Sequence, residues 1–260
     1  MEEGIQASTW LRIREEARWM IVEEPMLGSF YYSTILNHDT LECSLSFILA
    51  NKLESSVMPA ISLREVIESV VEADPDILER AATDICAVQE RDPAVDLFST
   101  PLLYLKGFHA LQGYRIANWL WRHNRRALAT YLQNQISVVF GVDIHPAARI
   151  GKGIMLDHAT SIVVGETAVV EDYVSILQSV TLGGTGKAGG DRHPKIREGV
   201  MIGAGAKILG NIEVGTGAKI GAGSVVLEPV PAHTTVAGVP ARVVGRPCSD
   251  MPSRAMNQNI

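Results

Sequence analysis

The chain has 260 residues, 47% of them hydrophobic and 20% charged, with a formal charge of −6. That length supports one large core or two modest ones, and the acidic balance, with no long Lys/Arg block, excludes a cationic surface for nucleic acid or an anionic membrane. No apolar run approaches the ~20 residues that span a bilayer, and the start Met1-Glu2-Glu3-Gly4 lacks the parts of a secretion signal, so a cytoplasmic protein is expected.

From about Thr9 to Gln135 apolar residues recur at three and four, as in Leu102, Leu105, Phe108, Leu111, Ile116 and Leu120. Residues 1–140 are therefore predicted to form an all-helical domain. Breaks are predicted at Glu24-Pro25, Met58-Pro59, Asp74-Pro75, Asp92-Pro93 and Thr100-Pro101, each placing a proline where a first helical turn accepts it. Cys43, Cys86 and Cys248 are odd in number and widely spaced, which fits neither a disulfide framework nor a paired zinc motif.

Beyond residue 140 glycine rises and aliphatic residues fall on a spacing of six. From Ile144 the sixth-residue positions read Ile150, Leu156, Ile162, Ala168, Val174 and Val180; after a ten-residue slip they resume at Ile196, Ile202, Ile208, Val214, Ile220, Val226 and Ala232. A period of six is neither helical nor the alternation of a half-buried strand; it predicts a parallel β-helix whose flat strands meet at tight turns, three hexapeptides to a coil. This domain is expected over residues 141–243, and about five rungs at ~4.8 Å give a prism ~24 Å tall. The slip is expected to leave the prism as a loop, residues 183–195, carrying Gly183-Gly184-Thr185-Gly186-Lys187 and Arg192-His193-Pro194. Residues 244–260 lose the period and are expected to be a flexible tail.

Several segments carry a resemblance: Asp143-Ile144-His145-Pro146, Leu156-Asp157-His158-Ala159-Thr160, Val164-Gly165-Glu166-Thr167, Val180-Thr181-Leu182-Gly183-Gly184-Thr185-Gly186, Asp191-Arg192-His193-Pro194-Lys195 and Ala237-Gly238-Val239-Pro240-Ala241. Together with Met58-Pro59-Ala60-Ile61 and Arg91-Asp92-Pro93-Ala94-Val95 in the helical half, they are similar to bacterial serine acetyltransferases, members of the hexapeptide-repeat acyltransferase superfamily. The resemblance covers nearly the whole chain. It implies an α+β fold in which an N-terminal all-helical domain is followed by a left-handed parallel β-helix. The activity it implies is transfer of acetyl from acetyl-coenzyme A, a co-substrate rather than a permanently bound cofactor, to L-serine.

A serine hydroxyl is a poor nucleophile at neutral pH, so a general base must take its proton as it attacks the thioester, a task that suits a largely neutral histidine. By resemblance that base is His158, with Asp143 on its other ring nitrogen. Their spacing of 15 puts them on neighbouring rungs without fixing contact. The resemblance also implies that Asp92 and Asp157 take the substrate's ammonium, while Arg192 and His193 face its carboxylate. Arginine binds a carboxylate through two parallel bonds. Asp92 also reads as an N-cap before Pro93, and Arg192 as a solvated loop residue. Ala204 and Ala222 are 18 apart, one above the other, and leave room for the pantetheine arm of coenzyme A, which by resemblance also meets Gly184, Thr185 and Lys219. A backbone N–H of the Gly183-Gly184 turn is suited to the oxyanion of the intermediate.

His158 falls in the third hexapeptide of a coil, whereas the loop with His193 leaves between a first and a second. If both serve one site, two subunits share it, and a homotrimer or a dimer of trimers is expected. The resemblance further implies feedback inhibition by L-cysteine and capture of Ile260 by O-acetylserine sulfhydrylase. Three other readings compete: a hexapeptide acetyltransferase for another hydroxyl acceptor, a zinc hydratase of the γ-carbonic anhydrase type built on His145, His158, His193 or His233, and a silent scaffold for the sulfhydrylase. Neither nucleic acid, nor membrane, nor metal is expected as a partner.

Overall fold

A computed structural model describes residues 4–186 and 189–260. The first half is helical, as its period predicts: α1 (Ile5–Glu23), a single turn α2 (Gly28–Tyr31), α3 (Leu41–Leu53), α4 (Ala60–Ala73), α5 (Asp76–Arg91), α6 (Ser99–Tyr104), α7 (Lys106–Arg122) and α8 (Arg126–Phe140). Pro59 and Pro75 directly precede α4 and α5, and Pro101 sits in the first turn of α6. The N–H groups of Phe98 and Ser99 that open α6 are satisfied by Glu16 of α1, at 3.0 and 2.7 Å. One break differs from expectation. No helix follows Pro93; Asp92 ends α5, and its carboxylate accepts from the Ala94 N–H at 2.9 Å, so its N-cap reading is replaced by a turn.

From Val142 the chain winds in coils of three short strands. The first coil is β1 (Val142–Ile144), β2 (Arg149–Ile150) and β3 (Met155–Leu156); the second is β4 (Ile162–Val164), β5 (Val169–Val170) and β6 (Ser175–Ile176). The third is β7 (Thr181–Gly183), β8 (Lys195–Ile196) and β9 (Met201–Ile202), and the fourth β10 (Lys207–Leu209), β11 (Glu213–Val214) and β12 (Lys219–Ile220). A fifth coil holds β13 (Val225–Val226) and β14 (Thr235–Gly238). Corresponding strands stack in parallel into three faces: face A is β1-β4-β7-β10-β13, face B is β2-β5-β8-β11, and face C is β3-β6-β9-β12-β14. On face C, β15 (Ala241–Gly245) adds antiparallel to β14.

The register corrects the hexad count. On face A, Ile144 stacks on Val164, Val164 on Leu182, Leu182 on Ile208 and Ile208 on Val226. Those steps are 20, 18, 26 and 18 residues, so the single ten-residue slip is really two insertions. Two extra residues lie between Leu156 and Val164, in the turn that carries His158; eight lie in the loop 183–195. The count passed through the first insertion unnoticed because each hexapeptide buries two aliphatic residues two apart, such as Ile162 and Val164, or Val180 and Leu182. At the far end Ala232 is exposed, and Val230 and Val236 take the inward places over Val214 and Ile220.

A single apolar core runs through both halves. At Gly107 the start of α7 meets face C so closely that a Cβ would stand 2.1 Å from the Leu156 carbonyl oxygen, which only glycine avoids. Further along α7, Tyr114 donates to the Ala148 carbonyl at 2.5 Å, Arg115 to Gly151 at 2.8 Å and Asn118 to Pro146 at 2.7 Å. The buried Asp84 of α5 pairs with Arg115 at 2.6 Å and accepts the Ile154 N–H at 2.9 Å. Helices and prism are thereby fixed to each other, which sets the position of Asp92 relative to the coils.

The chain beyond Gly245 is not the free tail its composition suggests. It folds back along face C as a short helical turn, α9 (Pro252–Ala255), with Pro252 and Ser253 buried. Ser253 offers its carbonyl to the Ser175 hydroxyl at 2.8 Å, and Ser175 in turn accepts from the buried Arg91 at 3.1 Å. Among the described residues no helix is long and apolar enough to cross a membrane.

Candidate active site

The corner where face C turns into face A carries one half of the expected residues. There the two-residue insertion forms a tight turn, with Ala159 N–H bonded to the Asp157 carbonyl at 2.5 Å and Thr160 N–H to that of His158 at 2.8 Å. His158, Ala159 and Ser161 all take positive φ, at 53°, 60° and 62°, a conformation that non-glycine residues adopt only when their surroundings hold them there. The turn carries the His158 side chain outside the prism, where it is 76% exposed. Asp157 lies beside it, Oδ1 to Nε2 at 3.7 Å, and the two flank a cavity of about 440 Å³ lined also by Asp92, Tyr104, Lys106 and Phe108. Burial raises the Asp157 carboxyl above its ordinary range; His158 opposes that shift and the negative charge of Asp92 adds to it. Lys106 reaches across to Thr160 Oγ1 at 2.5 Å.

Asp143 is not bonded to His158 in this structure. Its Oδ1 accepts from Gln133 of α8 at 2.7 Å, because strand β1 starts directly beneath the end of that helix. The acid nearest His158 is Asp157 instead.

Lower on the same corner lie Ala204 and Ala222, stacked as their spacing predicts, with the Gly223 N–H bonded to the Ala204 carbonyl at 2.8 Å. Lys219, on the adjoining strand, is only 5% exposed and donates to the carbonyl of Asn259. The terminal Ile260 rests against Gly221, where its Cδ1 comes within 2.7 Å of where a Cβ would be, yet its side chain stays largely exposed. The tail thus lies across the strip expected to take coenzyme A.

The other half of the expected set sits at a different corner, between faces A and B. His193 is 7% exposed and packs against Gly165 so closely that a Cβ there would lie 2.1 Å from its ring. Thr167 binds the ring at Nδ1, and burial, with the nearby charges of Arg192 and Lys195, lowers the His193 pKa. The guanidinium of Arg192 is paired with Glu166 at 2.6 Å, which holds the Glu166 carboxyl below its usual range. Gly184 lies by the Arg192 main chain, and Thr185 beside Gly210. Residues 187 and 188, and with them Lys187 of the glycine-rich run, fall outside the described residues.

Within one chain, then, His158, Asp157, Asp92, Ala204, Lys219 and Ala222 gather at one corner, while Arg192, His193, Gly184 and Thr185 gather at another. Sequence reading missed Glu166, Thr167, Lys106 and Gln133. The first two stand inside a quoted motif, but nothing in the spacing ties them to Arg192 and His193, 26 residues on. Among the described residues no group of three or more histidine, cysteine and carboxylate side chains within one chain is placed to hold a metal ion.

Comparison with known proteins gives concordant results. Residues 9–113 match the family described as serine acetyltransferase, N-terminal, and residues 193–228 match bacterial transferase hexapeptide (six repeats). The chain is 71% identical over 251 residues to a serine acetyltransferase of Escherichia coli (strain K12), covering 96% of this chain and 92% of that one. A solved serine acetyltransferase in complex with cysteine is 65% identical with a TM-score of 0.96, covering 98% of this chain and 99% of the other. Another, in complex with CoA, is 66% identical with a TM-score of 0.89, covering 92% and 100%.

Proposed function

The chain belongs to the serine acetyltransferase family, and from that premise we propose how its own residues carry out the transfer of acetyl from acetyl-coenzyme A to L-serine. The observation that carries the reading is the strained turn at Asp157–Ser161, which presents His158 at the mouth of a cavity walled by two carboxylates, on the same corner as the Ala204–Ala222 strip with one turn between them.

In this reading neutral His158 takes the proton of the serine hydroxyl as the oxygen attacks the thioester carbonyl. The tetrahedral oxyanion collapses, the C–S bond breaks, and the departing thiolate recovers the proton from the imidazolium. Transfer is direct, with no acetyl-enzyme. Asp157 and Asp92 receive the substrate's ammonium, and Asp143 keeps Oδ2, the oxygen Gln133 leaves free, for the imidazolium that forms. Ala204, Ala222, Lys219, Gly184 and Thr185 take coenzyme A, and a backbone N–H of the glycine turn takes the oxyanion. Because Arg192 and His193 stand at another corner, they serve the His158 of a neighbouring copy, which makes the active assembly a homotrimer with three shared clefts. Exposed Leu11 and Trp19 on α1 suit the pairing of two trimers.

L-Cysteine carries the same ammonium and carboxylate as L-serine with a thiol in place of the hydroxyl. The relative solved with cysteine supports its competing at this site as a feedback inhibitor. Exposed Ile260 suits capture by O-acetylserine sulfhydrylase, and the three free cysteines suit a reducing cytoplasm. The test is thiol release from acetyl-coenzyme A with L-serine, D-serine or a β-galactoside. Turnover is expected with L-serine alone, falling roughly 10²–10⁴-fold in His158→Ala. Assemblies that mix His158→Ala with His193→Ala chains should recover part of it. Full activity in His158→Ala, or no recovery in verified mixtures, refutes the base or the shared site respectively.

A further inference from the structure

Four hydrogen bonds of Thr167 converge on Arg192 and His193, beside a fifth that its carbonyl accepts from Lys195 at 2.9 Å. Its Oγ1 accepts the backbone N–H of Arg192 at 3.0 Å and that of His193 at 3.1 Å. Those two bonds use both lone pairs of the hydroxyl, which leaves its proton to donate to His193 Nδ1 at 2.8 Å. The backbone N–H of Thr167 donates to the same nitrogen at 3.1 Å. A backbone amide is only ever a donor, so this last bond by itself requires Nδ1 to be without a proton. A proton on Nδ1 would face the Thr167 backbone N–H, which can only donate, at 3.1 Å.

The ring has no way to turn aside. Its Cδ2–Nε2 edge lies against the bare α-carbon of Gly165, and the chain on either side of it is pinned by the bonds that Arg192 and His193 give to Thr167. We propose that Thr167 is a positioning residue for the transfer reaction: it locks His193 as the neutral tautomer with its only proton on Nε2. His193 then offers the substrate's carboxylate one uncharged donor, while Arg192 supplies the charge.

Burial and most of the groups facing His193 support the same state. Arg192 and Lys195 of the loop and of β8 are cations that oppose a further positive charge. His145, from the first coil, opposes it as well, while Glu166 favours it but is already paired with Arg192 at 2.6 Å. Asp191 is engaged by Lys195, also at 2.6 Å. A cationic His193 beside a cationic Arg192 would bind any small anion; a fixed Nε2 donor beside Arg192 demands an acceptor oxygen in one place. That requirement is a specificity device, and it rests on the reading of His193 as a carboxylate ligand.

The experiment is ¹⁵N NMR of the full-length assembled protein labelled at histidine, with the His193 signal assigned by its loss in His193→Gln. At pH 7 one tautomer is expected, protonated at Nε2. Thr167→Val keeps the shape but removes the hydroxyl that pins the Arg192 and His193 backbone, so the ring can draw away from the Thr167 N–H as well; the variant should populate the second tautomer and raise the KM for serine about tenfold, with the KM for acetyl-coenzyme A unmoved. Thr167→Ser should restore both readouts. An Nδ1-protonated or doubly protonated ring in the parent protein overturns the proposal, as does a Thr167→Val variant whose tautomer and serine KM both stay put. His193→Gln separates the proposal from the reading beneath it. A locked ring together with an unchanged serine KM in that variant supports the lock and removes the carboxylate role.

Discussion

Gly165→Ala is a one-carbon test of how the prism aims His193. The added Cβ would lie 2.1 Å from both Cδ2 and Nε2 of the ring, whereas ordinary contact begins near 3.4 Å, so the ring must retreat by more than 1 Å. The backbone at Gly165 is not in the left-handed region, so alanine brings no torsional penalty and the whole effect falls on the histidine. Retreat lengthens the bonds from Thr167 to Nδ1, now 2.8 and 3.1 Å, and moves Nε2 off its aim. A misplacement of about 1 Å costs on the order of 10²-fold in rate, or about 2.7 kcal/mol of transition-state binding. Overpacking should cost about 1–3 kcal/mol of stability, lowering Tm by roughly 2–12 °C. Initial rates of thiol release against serine, at saturating acetyl-coenzyme A, give kcat/KM; circular dichroism melts at the same protein concentration give Tm. The expected result is a ~10²-fold loss in serine kcat/KM with the KM for acetyl-coenzyme A unchanged. A folded variant within about threefold of the parent in serine kcat/KM would refute the idea that His193 is aimed by this contact.

Two further outcomes follow from buried groups that join the halves. Asp84→Ala strands the Arg115 guanidinium, 3% exposed, and should cost about 3–5 kcal/mol, a Tm loss of roughly 6–20 °C; an Asp84→Leu, Arg115→Leu double variant should recover part of that loss in the same melts. His109 of α7 is fully enclosed and burial pushes its pKa down to about 4, while its Nε2 bonds the Leu102 carbonyl at 2.7 Å. The unfolded chain takes up this proton near pH 6.5 and the folded chain near 4, so stability is whole above 6.5 and falls as pH drops through that window, by on the order of 3 kcal/mol. Urea midpoints at pH 7 and 4.5 should therefore differ more for the parent than for His109→Gln; equal pH dependence would count against a buried neutral imidazole.

Much of the fold was legible because its causes are local. A hexapeptide that buries two aliphatic side chains announces its strand, and a spacing of three and four announces a helix, whatever lies elsewhere in the chain. Thirteen of the fourteen counted hexad positions are buried, and Ala232 alone is not, since the last coil is shortened. The candidate chemistry was legible for a different reason: the motifs around His158 and Arg192-His193 are specific to a known family.

What the sequence could not settle was who meets whom, because that depends on packing between segments far apart in the chain. The phase of the repeat concealed the two-residue insertion that strains the His158 turn. Asp143 was matched to His158 by resemblance, but the end of α8 brings Gln133 to it first. The tail looked polar and free, yet Pro252 and Ser253 find a buried seat on face C beside Arg91. Glu166 and Thr167 became part of the site only when coiling stacked them beside residues 26 positions later. The sequence alone determined the elements, the coil and the residue types needed for acyl transfer. Tertiary structure decided their partners and the division of the site between two corners, because the stacking of whole coils fixes those distances and no local pattern records them.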